Sequence, residues 1–123
     1  MVDKNKAIKK LDGFPMVLWI NLDRCTERKK YMEDHLSYWG IKNHHRISGV
    51  DGYEYEELLK GTLPDNMNKG EIACVMSHLS ALEYFVNETD LDEIIIMEDD
   101  VDLSPVSSWT FTWKEVRKRV PVN

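Results

Sequence analysis

The stretch that most constrains the fold is Ile94-Ile95-Ile96-Met97-Glu98-Asp99-Asp100-Val101-Asp102. Its apolar half is short and β-branched, which favours a buried strand over a helix. Its acidic half sets four carboxylates within five residues at the end of that strand. Carboxylates so close repel one another unless a cation, basic side chains or N–H donors occupy the space between them. Hard divalent cations take oxygen ligands. The stretch therefore predicts a metal site at the edge of an α/β sheet, of the kind that holds a nucleotide diphosphate. Side chains alternate along a strand, so continued extension puts Glu98, Asp100 and Asp102 on one face and Asp99 on the other. The bland reading is an acidic loop that caps a helix starting at Ser104-Pro105, but four acids are too concentrated for capping alone.

The remaining pattern alternates strands with helices. Met16 to Leu22 is the first strand candidate, and Asp23 or Thr26 can cap the helix after it. Met32, Leu36 and Trp39 give that helix one apolar face, and Gly40 ends it. Arg46 to Val50 is a short second strand closed by Asp51-Gly52. A weak helical stretch at Tyr55 to Lys60 leads into a loop through Gly61, Pro64 and Gly70. Glu71 to Asn87 is the longest helix. Its stripe of Ile72, Val75, Met76, Leu79, Leu82 and Val86, widened by Ala73, Cys74, Ala81 and Phe85, predicts a largely buried element. After the Ile94 strand, Trp109, Trp113, Val116 and Val120 recur at helical spacing. Lys114, Arg117, Lys118 and Arg119 suit the C-terminus of that helix, and Pro121 stops it. Residues 1–14 read as a polar lead-in and 15–123 as a single domain. Alternating strands and helices predict a mostly parallel sheet with helices on its faces. Ligands of such sheets bind beyond the carboxyl ends of the strands, where this chain has Asn21 to Arg24, Asp51-Gly52 and Glu98 to Asp102.

Several side chains there carry possible chemistry. Arg24 and Arg28 flank the turn after the first strand and suit phosphate neutralisation, although Arg28-Lys29-Lys30 also reads as a solvated basic run. Asn21 can bond a base or ribose, or tie down its own turn. Asp51 reads as a turn residue or a ribose contact. Ser77 and His78 lie mid-helix, and a lone histidine is more often structural than catalytic. His44-His45 has no partner at metal-ligand spacing and reads as surface. A net charge of −6 over 123 residues argues against a nucleic-acid surface. No stretch resembles a signal peptide or a membrane span, which predicts a cytoplasmic protein. Cys25 and Cys74 lack CxxC spacing and read as reduced, buried thiols. The sequence contains no GxSxG, Walker A or GxGxxG pattern.

The order of these pieces resembles glycosyltransferase family 25, which includes bacterial lipooligosaccharide galactosyltransferases and animal procollagen galactosyltransferases. The resemblance rests on Trp19-Ile20-Asn21-Leu22-Asp23-Arg24 with Glu27-Arg28, on Val50-Asp51-Gly52, on Lys69-Gly70-Glu71-Ile72-Ala73-Cys74 running into Ser77-His78, and on Met97-Glu98-Asp99-Asp100-Val101. It implies a GT-A-like (Rossmann-like) fold, of which this chain resembles the donor-binding half. It implies transfer of a hexose, galactose or glucose, from a UDP-sugar to a hydroxyl of a glycan, a lipid-linked or a protein acceptor, as in lipopolysaccharide and other glycan biosynthesis. Mn²⁺ or Mg²⁺ is the implied cofactor, with Glu98-Asp99-Asp100 standing where the family has its DxD-like motif. By that likeness Asp100 is the foremost metal ligand and Asp102 a reserve. Glu98 or Asp99 lies near the ribose, and Asn21, Arg24 and Arg28 lie near the nucleotide. Glu71, Ser77 and His78 border the donor pocket. Ala73 stands where the family usually has glycine. No general base is identified.

Two other readings compete. A relative of this family can bind a nucleotide or a partner without transferring sugar. A signalling receiver domain fits the length, but it needs an acidic pair after its first strand, where this chain has Asn21.

Overall fold

The computed structural model describes residues 3–52 and 68–121. The helical stretch expected at Tyr55 to Lys60 and the loop at Gly61 and Pro64 lie outside them. Three strands, Met16–Asn21 (β1), His44–Ser48 (β2) and Ile94–Glu98 (β3), form a parallel sheet in the order β2-β1-β3. The register sets Asn21 opposite Ser48, and Ile20 opposite Glu98. All three strands thus end at one edge. Among the described residues four helices surround the sheet: Lys4–Lys9 (α1), Thr26–Tyr38 (α2), Lys69–Glu88 (α3) and Trp113–Arg119 (α4), with a 3₁₀ turn at Ser104–Ser108. This is the expected α/β, Rossmann-like arrangement. No helix among the described residues is long and apolar enough to cross a membrane.

β1 is central, and its side chains are buried on both faces, which explains its unbroken apolar run. Val17 and Trp19 on one face meet Met97, Met32 and Leu36 of α2, and Trp39. Leu18 and Ile20 on the other meet Ile47 and Ala81 of α3, with Tyr84 and Phe85 alongside. α2 and α3 therefore cover opposite faces. Gly40 ends α2 at φ +71°, a left-handed conformation that glycine adopts without steric cost.

Several expectations change. The lead-in contains a helix: Asp3 caps α1 by accepting from the Asn5 and Lys6 N–H groups, and Ala7 and Leu11 join the core. Its polar look comes from the solvent side of a helix of under two turns. β2 starts two residues early, at His44, and stops at Ser48. His44 is half-buried and accepts a hydrogen bond from Trp19 Nε1 at 3.1 Å, so only His45 is on the surface, stacked on Tyr84. Neither Asp23 nor Thr26 caps α2. Cys25 occupies that position without a side-chain cap, while Asp23 accepts from Arg46 Nη2 and from Ser48 Oγ. The C-terminal helix splits because Trp109 is extended and Thr112 starts a new helix by accepting from the Glu115 N–H.

The longest helix departs most from expectation. Its buried residues are Ala73, Ser77 and Ala81, whereas Val75, Leu79, Leu82 and Val86 are exposed. The small residues at i, i+4 and i+8 form the face that lies against the sheet. The larger aliphatic stripe turns outward.

Candidate functional site

The carboxyl edge of the sheet opens into a cavity of about 620 Å³. Ile20 and Leu22 from the end of β1 line it, together with Arg24, Cys25 and Arg28 at the start of α2. Val50, Asp51 and Gly52 follow β2 into the wall. Asn68, Lys69, Gly70, Ala73, Cys74, Ser77 and His78 contribute from the first half of α3, and Glu98, Asp99 and Asp100 from the end of β3. The loop and α3 approach so closely that a Cβ on Gly52 would lie 2.8 Å from the Lys69 carbonyl oxygen. Only glycine fits there.

The charges in the wall are largely paired. Arg24 Nε donates to Asp51 Oδ2 at 2.6 Å, and Arg28 Nη1 to Asp99 Oδ1 at 3.3 Å. Both aspartates are buried, while the arginine side chains are 59% and 62% exposed. A guanidinium carries several N–H donors in a planar fork. Each arginine can therefore keep its aspartate and still meet an anion in the cavity.

Asn21 does not line the cavity; it lies behind the wall at 1% exposure. Its Nδ2 donates to Asp99 Oδ2 at 2.8 Å and to the Cys25 carbonyl, and its Oδ1 accepts from Arg46 Nε. Its amide thus positions the Asp99 carboxylate, and Arg46 is an unforeseen support for it. Ser77 is also committed: its Oγ accepts from the Val50 N–H and donates to the Ala73 carbonyl. That bridge ties α3 to the end of β2.

The acidic run does not remain extended. β3 stops at Glu98, and the chain turns at Asp99 and Asp100. The alternation therefore fails, and Glu98, Asp99 and Asp100 all face the cavity. Asp102 does not share their face. It accepts from the Ser104 N–H and Oγ, which hold its carboxyl below the usual range, and it lies 3.9 Å from His35. Asp102, expected as a reserve metal ligand, is corrected to a residue that closes the turn into Ser104; the N-cap of the 3₁₀ turn is Leu103, with no side-chain cap. Glu71 is corrected too. It is exposed, outside the cavity, and its Oε1 accepts from Asn68 Nδ2 while its N–H donates to Asn68 Oδ1. The pair caps α3, and the Asn-x-x-Glu spacing was the signal for it.

Asp100 is exposed and makes no hydrogen bond or ion pair among the described residues. His78 Nε2 and Cys74 Sγ both lie near Glu98 Oε1, at 3.7 and 3.5 Å. Cys74 is exposed rather than buried, and both cysteines are free. Partial burial and the Glu98 carboxylate push the Cys74 thiol above its ordinary value. That is opposite to the shift a nucleophilic thiol needs. Lys69, Asn68 and Cys25 are cavity residues that the sequence reading did not single out.

The sequence model of the family described as "Glycosyltransferase family 25 (LPS biosynthesis protein)" matches residues 14–119. A "Glycosyltransferase 25 family member" of Drosophila melanogaster is 34% identical over 102 residues, covering 72% of this chain and 16% of that protein. Proteins of the same description from Drosophila pseudoobscura pseudoobscura and Anopheles gambiae are 31% and 29% identical, each over 72% of the chain. The chain spans 16–17% of the length of these relatives. No solved structure matches it. The match runs from the residue before Pro15 to the last residue of α4, through every strand that ends at the cavity, and the chain belongs to glycosyltransferase family 25.

Proposed function

We propose that the cavity binds a UDP-sugar and that the chain serves hexose transfer, of galactose or glucose, to a hydroxyl acceptor. The observation that carries this reading is the common opening of three parallel strand ends onto one cavity that holds two exposed guanidiniums and an uncommitted carboxylate. Arg24 and Arg28 meet the diphosphate, and the buried aspartates behind them fix their direction. Asp51 is within reach of a ribose hydroxyl from the same wall. Ile20, Leu22 and Val50 offer apolar surface to the base.

A hard divalent ion fits this rim through Asp100. Asp99 is engaged by Asn21 and Arg28, Asp102 by Ser104, and Glu98 by Cys74 and His78, so Asp100 is the carboxylate left to bind it. Mn²⁺ and Mg²⁺ are commonly held by one or two carboxylates together with substrate phosphates. When bound, such an ion offsets the charge that develops on the departing UDP. The acceptor hydroxyl belongs to a glycan, a lipid-linked sugar or a protein.

Calorimetric titration of UDP with and without Mn²⁺ tests the reading. Wild type is expected to bind UDP more tightly with the metal, and Asp100→Asn to lose about tenfold or more of that gain, the worth of one charge-assisted contact. Equal metal-dependent binding by the variant removes Asp100 from the site. Transfer assays with UDP-galactose and UDP-glucose then separate an enzyme from a module that binds UDP without turnover.

A further inference from the structure

Cys74 and His78 are four residues apart on α3, which stacks their side chains on one face of the helix. Glu98, the last residue of β3, faces them across the cavity wall. One thiol sulfur, one imidazole nitrogen and one carboxylate oxygen lie within 4.8 Å of one another. We propose that Cys74, His78 and Glu98 form a three-ligand site for a borderline divalent ion of the zinc class, its fourth position left to water or to a molecule in the cavity.

Two of the three ligand–ligand edges match that coordination, and the third, from sulfur to imidazole nitrogen, lies within 4.8 Å. In a tetrahedral zinc site with a Zn–S bond of about 2.3 Å and Zn–N and Zn–O bonds of about 2.0–2.1 Å, S···O and N···O edges are about 3.5 and 3.4 Å. Here Glu98 Oε1 lies 3.5 Å from Cys74 Sγ and 3.7 Å from His78 Nε2. Without an ion the three groups are held by a weak S–H···O hydrogen bond from Cys74 to Glu98 and by a His78–Glu98 pairing at 3.7 Å, contacts that a bound ion would replace with three bonds. Three protein ligands with one open position are the arrangement of zinc sites that also bind a ligand.

The donor set also decides which ion. Thiolate and imidazole favour Zn²⁺ and Co²⁺, whereas Mn²⁺ and Mg²⁺ prefer oxygen. The cavity thus carries two rims of different softness, Asp100 for a hard ion and Cys74, His78 and Glu98 for a borderline one. The inference rests on the side-chain geometry and is independent of the sugar-donor reading. All three side chains are partly exposed, so an ion can enter from solvent.

Co²⁺ titration of the full chain, kept reduced by a thiol-free reductant, tests the proposal. Equimolar Co²⁺ is expected to give a thiolate-to-metal charge-transfer band and the strong visible bands of four-coordinate cobalt, and Zn²⁺ should displace both. Cys74→Ser should abolish the charge-transfer band, while Cys25→Ser and Asp100→Asn should retain it. His78→Gln and Glu98→Gln should each weaken binding by more than about tenfold, since loss of even an outer-shell partner costs about 10–100-fold. The two lie on different elements, so one variant that misfolds, as judged by circular dichroism, leaves the other decisive. Weak six-coordinate cobalt spectra without a charge-transfer band overturn the site. So does a band that survives in folded His78→Gln or Glu98→Gln at unchanged affinity, which would mean thiol binding alone.

Discussion

Asn21, a single amide, joins the ends of all three strands. Its side chain holds Asp99 beyond β3, the Cys25 carbonyl before α2 and Arg46 of β2, and its carbonyl accepts from Arg46 and the Gly49 N–H. Asn21→Leu keeps the volume but leaves buried donors and acceptors unmatched. The expected loss is about 2–4 kcal/mol, because each unsatisfied buried group costs about 1–3 kcal/mol and charged ones more. Urea unfolding measures it, and a loss below about 0.5 kcal/mol would mean that the amide is dispensable. His35 supplies a pH dependence. Its Nε2 accepts from the Leu103 N–H at 2.9 Å, so the imidazole there is neutral. Burial lowers its pKa, opposed in part by Asp102. The unfolded chain, with a histidine pKa of about 6.5, then holds more protons than the folded one just below that pH. Stability therefore falls as the pH drops through about 6.5 and stops falling once the folded pKa is passed, with a slope no steeper than about 1.4 kcal/mol per pH unit. The lowered carboxyls of Asp23 and Asp102 lose their contribution only below their ordinary value of 3.8. Urea midpoints between pH about 7.5 and about 5 should decline in wild type and stay flatter in His35→Gln.

At the scale of the element, α3 shows what periodicity conveys and what it leaves open. The spacing of its apolar residues identifies a helix, but this helix has two faces that could pack. The face of Ala73, Ser77 and Ala81 won, since small side chains let the helix lie close to the strands. Ala81 is fully buried, while Leu79 is 51% exposed. Ala81→Leu should cost about 1–3 kcal/mol by overpacking. Leu79→Gln should stay within about 0.5 kcal/mol, as surface substitutions do. Thermal melts of the pair check this, and the reverse ranking would mean that the helix packs through its larger stripe. β1 and β3 were legible because apolar, β-branched-rich runs ended at polar residues, whereas β2, with Ile47 as its one β-branched residue, was displaced by two residues. The C-terminal region was not legible, because Trp109 and Trp113 imitate a helical repeat across a break. The break is held from far away in sequence: Lys10 Nζ donates to the carbonyls of Val106, Ser107 and Trp109, and the Trp113 N–H donates to the Lys10 carbonyl. No local pattern announces such a contact.

At the scale of the whole molecule, the parallel sheet with helices on opposite faces follows from the alternation of element types, and the cavity follows from where parallel strands end. The common placement of the candidate residues was readable: Arg24, Arg28, Asp51, Ser77, His78, Glu98, Asp99 and Asp100 all line one cavity. The remainder turned on side-chain direction. A turn after Glu98 redirects Asp102 toward Ser104, a cap engages Glu71, and burial takes Asn21 behind the wall. The placement of the walls has a mechanical consequence. Arg28 belongs to the layer on one face of the sheet and Lys69 to the layer on the other. A molecule gripped by both would rivet the two layers together, so occupancy would slow amide exchange at the beginnings of both helices at once.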